Sequence, residues 1–234
     1  MGAFRAPAAS SDGRYEAFLV TKSGGAAAVV AATSDGASRH EVGVFGPAAF
    51  EFAPSGSRLA FVAAASADAI APFPFGTLRV VDAATGDVRS LPATGVVAFY
   101  WSPDGRRIAT IGLATPPDPG SAAGPARLAS VRDGSAVDPM APDLEGVRVG
   151  LQFIDVDAGT ATPLQAVNLS PLYVNQVLPY FDQYALSHRV WSPDGASILL
   201  PVIGDDGTET LAVLPADGSD PRVLAPGSMG FWSP

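Results

Sequence analysis

Apolar residues run along this chain in short stretches, each closed by Gly, Pro, Asp or Ser. The clearest set is AAFEFA (48–53), RLAFVAA (58–64), TLRVVDA (77–83) and VRSLPA (88–93). Stretches of this length, rich in Val, Ile, Leu and Phe and bounded by turn residues, predict β-strands. The same four-strand pattern recurs as VAFYW, RIATIGL, GLQFIDV and ATPLQA, and again as SHRVW, SILLPVI, TLAVLPA and PRVLAP. Only 166–187 carries a persuasive helical period. The fold class is therefore all-β.

The strands come in repeats. SSDG (10–13), FAPSG (52–56), WSPDG (101–105), WSPDG (191–195) and a final WSP (232–234) align on one turn, and Gly13, Gly56, Gly105 and Gly195 lie 43, 49 and 90 residues apart. Between them VVAATSDGA (29–37), VVDAATGDV (80–88), FIDVDAGTA (153–161) and AVLPADGSD (212–220) each run an apolar strand into a Gly/Asp turn, once per interval. Fixed-period self-similarity of this length predicts radially or side-by-side stacked sheets. The units are about 3–46, 47–94, 95–166 and 187–227, followed by an extra first strand at 228–234. The long interval is one unit lengthened by insertions at 114–147 and 167–187.

The repeated turn has a physical reading. Pro54, Pro103 and Pro193 preset φ near −65° at the second position, the Ser at the first position of Ser-Pro-Asp-Gly can bond the backbone, and Gly56, Gly105 and Gly195 take the exit geometry, a type I arrangement in which Asp104 and Asp194 also recur. The aromatic before it, Phe52, Trp101, Trp191 or Trp232, places a large ring where neighbouring sheets meet. These residues are structural repeat positions.

Composition narrows function. Over 234 residues, 47% hydrophobic and 16% charged content with 25 Gly and 22 Pro describes a folded chain cut into short elements. A net charge of −9 disfavours nucleic acid as a partner. The absence of Cys excludes thiol catalysis, disulfides and thiolate metal sites. No apolar run is long enough to span a bilayer as a helix, and the N-terminal residues lack the basic start and continuous apolar run of a secretory signal. The expectation is a cytoplasmic protein or one whose export signal lies outside this sequence.

The aromatic-Ser-Pro-Asp-Gly turn, the following Arg107-Ile108-Ala109 or Arg58-Leu59-Ala60, and the Asp-x-x-x-Gly endings at Asp82 to Gly86 and Asp155 to Gly159 resemble the TolB-type β-propeller repeat. The likeness covers nearly the whole chain except the two insertions. It implies a β-propeller of four-stranded antiparallel blades, four complete units plus one extra inner strand, in a periplasmic or extracellular setting. Such propellers serve as interaction proteins, as sensor domains, or as the substrate-gating half of prolyl oligopeptidase and dipeptidyl peptidase relatives. The family's rings usually have six or more blades, so the resemblance implies that strands partnering 228–234 come from N-terminal blades of a longer protein, from a second copy of the chain, or from the first unit by displacing residues 3–10.

The sequence carries no catalytic signature: G-x-S-x-G, H-E-x-x-H and a phosphate-binding G-x-x-x-x-G-K-[ST] loop are all missing. The expected function is noncatalytic binding of a protein or cell-envelope ligand, with no cofactor. The alternatives are the propeller of a serine peptidase whose hydrolase domain lies elsewhere, and a small-molecule or carbohydrate binder. Candidate binding residues cluster in 168–191: Tyr173, Tyr180, Phe181, Asp182, Gln183, Tyr184 and His188. The competing structural reading makes that stretch a plug in a widened blade gap, with its hydroxyls satisfied locally. Asp205, Asp206 and Glu209, and likewise Asp155 and Asp157, read as solvated turns rather than Ca²⁺ ligands because their spacing fits no known loop. The Pro-rich 116–143 reads as a surface loop.

Overall fold

A computed structural model describes residues 6–70, 73–113, 148–164, 166–184, 187–204 and 207–233. Unit one pairs β1 (Ala8–Ala9), β2 (Tyr15–Thr21), β3 (Ala26–Thr33) and the first half of β4 (Arg39–Phe52) in order. The second half of β4 then opens unit two, pairing with β5 (Arg58–Ala64), β6 (Thr77–Asp82) and β7 (Val88–Ser90). Unit three is β8 (Val96–Trp101), β9 (Arg107–Leu113), β10 (Arg148–Asp155) and β11 (Thr160–Pro163), with β12 (Val167–Asn168) added to the start of β10. Unit four is β13 (Ser197–Ile203), β14 (Glu209–Pro215) and β15 (Arg222–Pro226), its inner strand reduced to a bridge between Trp191 and Ile198. All ladders are antiparallel. These are the four-stranded blades of a β-propeller, in the predicted order.

Two features depart from expectation. Units one and two form one seven-stranded sheet, because β4 runs through from the outer strand of one blade to the inner strand of the next. The ladder with β5 slips between Phe45 and Ala48, where Gly46 takes φ +65° and Pro47 has no N–H to give. The extra strand is also placed differently. Trp232 N–H donates to Arg189 O at 2.9 Å, bridging antiparallel to the inner segment of unit four, while β1 keeps its place beside β2.

Alternation along β4 explains how the blades pack. Ala48, Phe50 and Phe52 face unit one in a cluster with Val29, Val44, Leu59 and Phe61; Ala49 and Ala53 face unit three in a second, larger cluster with Phe99, Trp101 and Ile108. The second cluster continues through Phe153 and Trp191 into unit four and takes in the segment after Ser170. The segment is α1 (Pro171–Gln176), a 3-10 turn at Leu178–Tyr180 and α2 (Phe181–Tyr184), the helical period expected of 166–187.

Candidate functional site

The repeated turns are structural, and their side chains close a small box. Ser102 N–H donates to Arg107 O and Gly105 N–H to Ser102 O, both at 2.8 Å. Ser102 Oγ accepts from Arg107 N at 2.9 Å and donates to Asp104 Oδ1 at 2.6 Å. Ser192 and Asp194 repeat the box, with Ser197 N as donor, and Ser10 and Asp12 repeat it with Tyr15 N. The serine hydroxyl holds each carboxyl below its usual range, Asp12 to about 2. Gly105 and Gly195 sit at φ +66° and +67°, where a side chain would be strained. Unit two has Ala53 and Ser55 in these places.

A second device crosses the blade seams. Trp101 Nε1 donates to Glu51 O at 3.1 Å, and from the other side Arg58 Nη2 donates to Gly105 O at 2.8 Å with its guanidinium 5.8 Å from the Trp101 ring centre. One seam on, Trp191 Nε1 donates to Tyr100 O at 2.9 Å, Arg107 Nη2 to Gly195 O at 2.7 Å, and the guanidinium lies 5.5 Å from the Trp191 ring centre. The aromatic wedge is thus stapled to the preceding inner strand. At Trp232 the pattern stops: Ser197 occupies the arginine's place, and the buried Nε1 has no acceptor.

The candidate binding residues divide. Ser170 caps α1, accepting from Tyr173 N, and Pro171 takes the first helical turn, where no N–H is needed. The helix drives Tyr173 into the core, its hydroxyl 2.7 Å from that of Tyr100, and burial pushes both phenols up. Phe181 follows, edge-on to Phe99 at 5.0 Å and to Tyr100 at 5.7 Å. Tyr173 and Phe181 are therefore core residues with no surface to offer. Tyr180 (47% exposed), Gln183 and Tyr184 (36%) face solvent, and Asp182 is half-buried. His188 is also half-buried, its ring 4.7 Å from Tyr184 and 4.2 Å from Phe231, with Nδ1 2.6 Å from Ser187 Oγ.

The acidic candidates go elsewhere. Asp155 accepts from Ala158 N in its own turn, and Asp157 pairs with Arg58 at 2.7 Å. Asp205, Asp206 and the Pro-rich 116–143 lie outside the described residues, while Glu209 opens β14. Among the described residues no three His, Asp or Glu side chains converge as metal ligands would. A cavity of about 40 Å³ beside Leu164, Leu214 and Gly218–Pro221 has room for little more than a water. Sequence reasoning missed Glu51. It stands alone among the apolar residues of AAFEFA, which was the available signal; it faces the seam with unit three, and burial pushes its carboxyl up to about 8.

Topology places the variable segments together. In each blade the first-to-second and third-to-fourth strand turns lie at one end, and the second-to-third loops and blade-to-blade links at the other. The insertion in unit three leaves at Leu113 and returns at Arg148, and the helical segment is the link into unit four. Leu113, Arg148 and the helical segment lie at the second end, while the first carries the uniform Gly turns.

No protein-family model matches the chain, and no curated protein does. Solved structures do. TolB from Acinetobacter baumannii aligns at 17% identity and TM-score 0.53, over 97% of this chain and 44% of that one. Acylaminoacyl peptidase from Pyrococcus horikoshii aligns at 16% and 0.57, over 97% and 33%. The β-propeller domain of the trilobed protease from Pyrococcus furiosus aligns at 13% and 0.53, over 96% and 58%. At these identities the likeness is one of fold, and the fold is the β-propeller. The chain spans less than two thirds of each of these proteins.

Proposed function

We propose that this chain is a propeller scaffold that binds a protein partner, in a cell-envelope setting as in TolB-like proteins, through the end of its blades that carries the helical segment. The observation that carries the reading is the division within that segment. Tyr173 and Phe181 anchor it to the inner strands while Tyr180 and Tyr184 are left at the surface, Tyr184 against the His188 ring, which in turn meets Phe231. Exposed tyrosines on a rigid support lose little side-chain entropy on binding and supply both apolar area and a hydroxyl. The supporting topology puts length variation at this end and uniform turns at the other, as expected where loops carry function on a fixed frame. A peptidase-associated propeller would have the same fold and would need a hydrolase domain on the same polypeptide.

The test is affinity capture with the full-length protein from its native source, comparing Tyr180→Ser/Tyr184→Ser with Val223→Ser/Leu224→Ser. Val223 and Leu224 are more exposed, at 65% and 52%, but lie on the outer strand β15 at a register irregularity. A partner lost with the first pair and kept with the second supports the reading. A partner kept by the first pair, or none at all, overturns it.

A further inference from the structure

We propose that Glu51 makes the seating of the helical segment 171–184 proton-dependent, the segment being held more tightly when the carboxyl is protonated. Glu51 lies on the half of β4 that serves as the inner strand of unit two, opposite Ala60 on β5, and faces unit three. The residue as a whole is half-buried, but Oε2 is shut off from solvent and has no hydrogen-bond partner. A neutral carboxyl tolerates such a place far better than a carboxylate, which must find donors or water.

Among the described residues no counter-charge offsets the burial of this carboxyl. From β8, Tyr100 is the titratable group that feels Glu51, and the carboxyl raises its pKa further. The Tyr100 hydroxyl is engaged with Tyr173 of α1. β5 brings Arg58, which is committed to Gly105 O and Asp157. β6 brings Arg79, which turns to the opposite seam over the Phe61 ring at 4.5 Å. α2, which packs on both β4 and β8, carries Asp182, and the 3-10 turn Ala67–Ala69 against β4 carries Asp68, both acids. β1 and β3 carry no titratable residue.

Ionisation of Glu51 therefore calls for water at Oε2. β4, β5, β8 and β9 are tied by backbone ladders, whereas α1 and α2 meet the inner strands through side chains, chiefly Tyr173 and Phe181. The element with the fewest backbone bonds to its neighbours opens first, so the helical segment lifts.

The sign follows from linkage. Burial raises the carboxyl from 4.5 to about 8, so the closed state is favoured fully below the lower value and loses that advantage as pH rises through the higher one. With the carboxyl hydrated in the open state, one proton makes opening of the segment about 50-fold more favourable at pH 8 than at pH 6. Hydrogen exchange of 171–184 in the intact protein, corrected for the intrinsic pH dependence of exchange, reads this directly. The expected result is a protection loss of that order between pH 6 and pH 8 in the native protein, absent in Glu51→Gln and in the apolar Glu51→Met. Equal pH dependence in native and substituted proteins overturns the proposal. Should neither variant fold, carboxyl ¹³C titration of Glu51 in the native protein decides: an apparent pKa above 7 supports it, and one below 6 overturns it.

Discussion

Ser102→Ala tests the claim that each blade's first turn is held by a side-chain box rather than by Pro and Gly alone. Ser102 is fully buried, and its Oγ is the acceptor for Arg107 N–H at 2.9 Å and the donor to Asp104 at 2.6 Å. Removing the hydroxyl orphans the amide, which costs about 1–3 kcal/mol in a buried place. Losing the bond to Asp104 costs less, since that carboxylate is exposed and water replaces the serine. The expected destabilisation is roughly 2 kcal/mol, a fall of about 1 M in the urea midpoint at a slope of about 2 kcal/mol per M. Urea unfolding followed by tryptophan fluorescence and circular dichroism measures it. The box also sets a pH dependence. The Asp104 carboxyl is held below its usual value, so its share of stability is present above the unfolded pKa and fades as pH falls through the folded one. The deficit of Ser102→Ala should therefore shrink in acid. Unit two supplies the reverse experiment, because Ala53→Ser with Ser55→Asp should install the missing box and stabilise. A Ser102→Ala midpoint within 0.2 M of the native one, by a rough reckoning from the same slope, would refute the reasoning.

Other consequences follow from the seams and the core. Arg107→Met removes the bond to Gly195 O and the stack on Trp191 and should cost about 1–2 kcal/mol in the same unfolding assay. Arg106→Ala, at the exposed neighbour, should stay within about 0.5 kcal/mol. Tyr173→Phe leaves the Tyr100 hydroxyl buried without its partner and should cost about 1–3 kcal/mol, whereas the double change Tyr100→Phe/Tyr173→Phe should recover part of that loss; a strictly additive double mutant would contradict the pair. Gly86→Ala should destabilise clearly, since Gly86 stands at φ +82° and an added Cβ would collide with the His40 ring.

The strands were legible because each short apolar run is fenced by turn residues whose backbone demands are specific. The three positive-φ glycines of the Ser-x-Asp-Gly turns, Gly13, Gly105 and Gly195, stand where that chemistry needs them. The through-running β4 was not legible, because Gly46-Pro47 reads as a break, and only the pairing of both flanks with different blades shows a continuous strand. In the helical segment the period was visible, but not which tyrosine goes inside. Tyr173 and Tyr180 both stand between apolar neighbours, Leu172 and Val174 in one case and Pro179 and Phe181 in the other. The difference arises because Ser170 and Pro171 set the start of α1 and so aim Tyr173 at Tyr100. Glu51 was readable only as an oddity. Tyr100, which feels its charge, and α2, which packs on β4, arrive from far along the chain.

Recognition is proposed to occur at the end of the blades bearing the helical segment. Site-specific photo-crosslinking in cells tests it most directly, with the photoreactive residue placed at position 184 or at position 223 of the full-length protein. A discrete protein adduct from position 184, absent from position 223, is the predicted result. Adducts from position 223 with none from position 184 would contradict it.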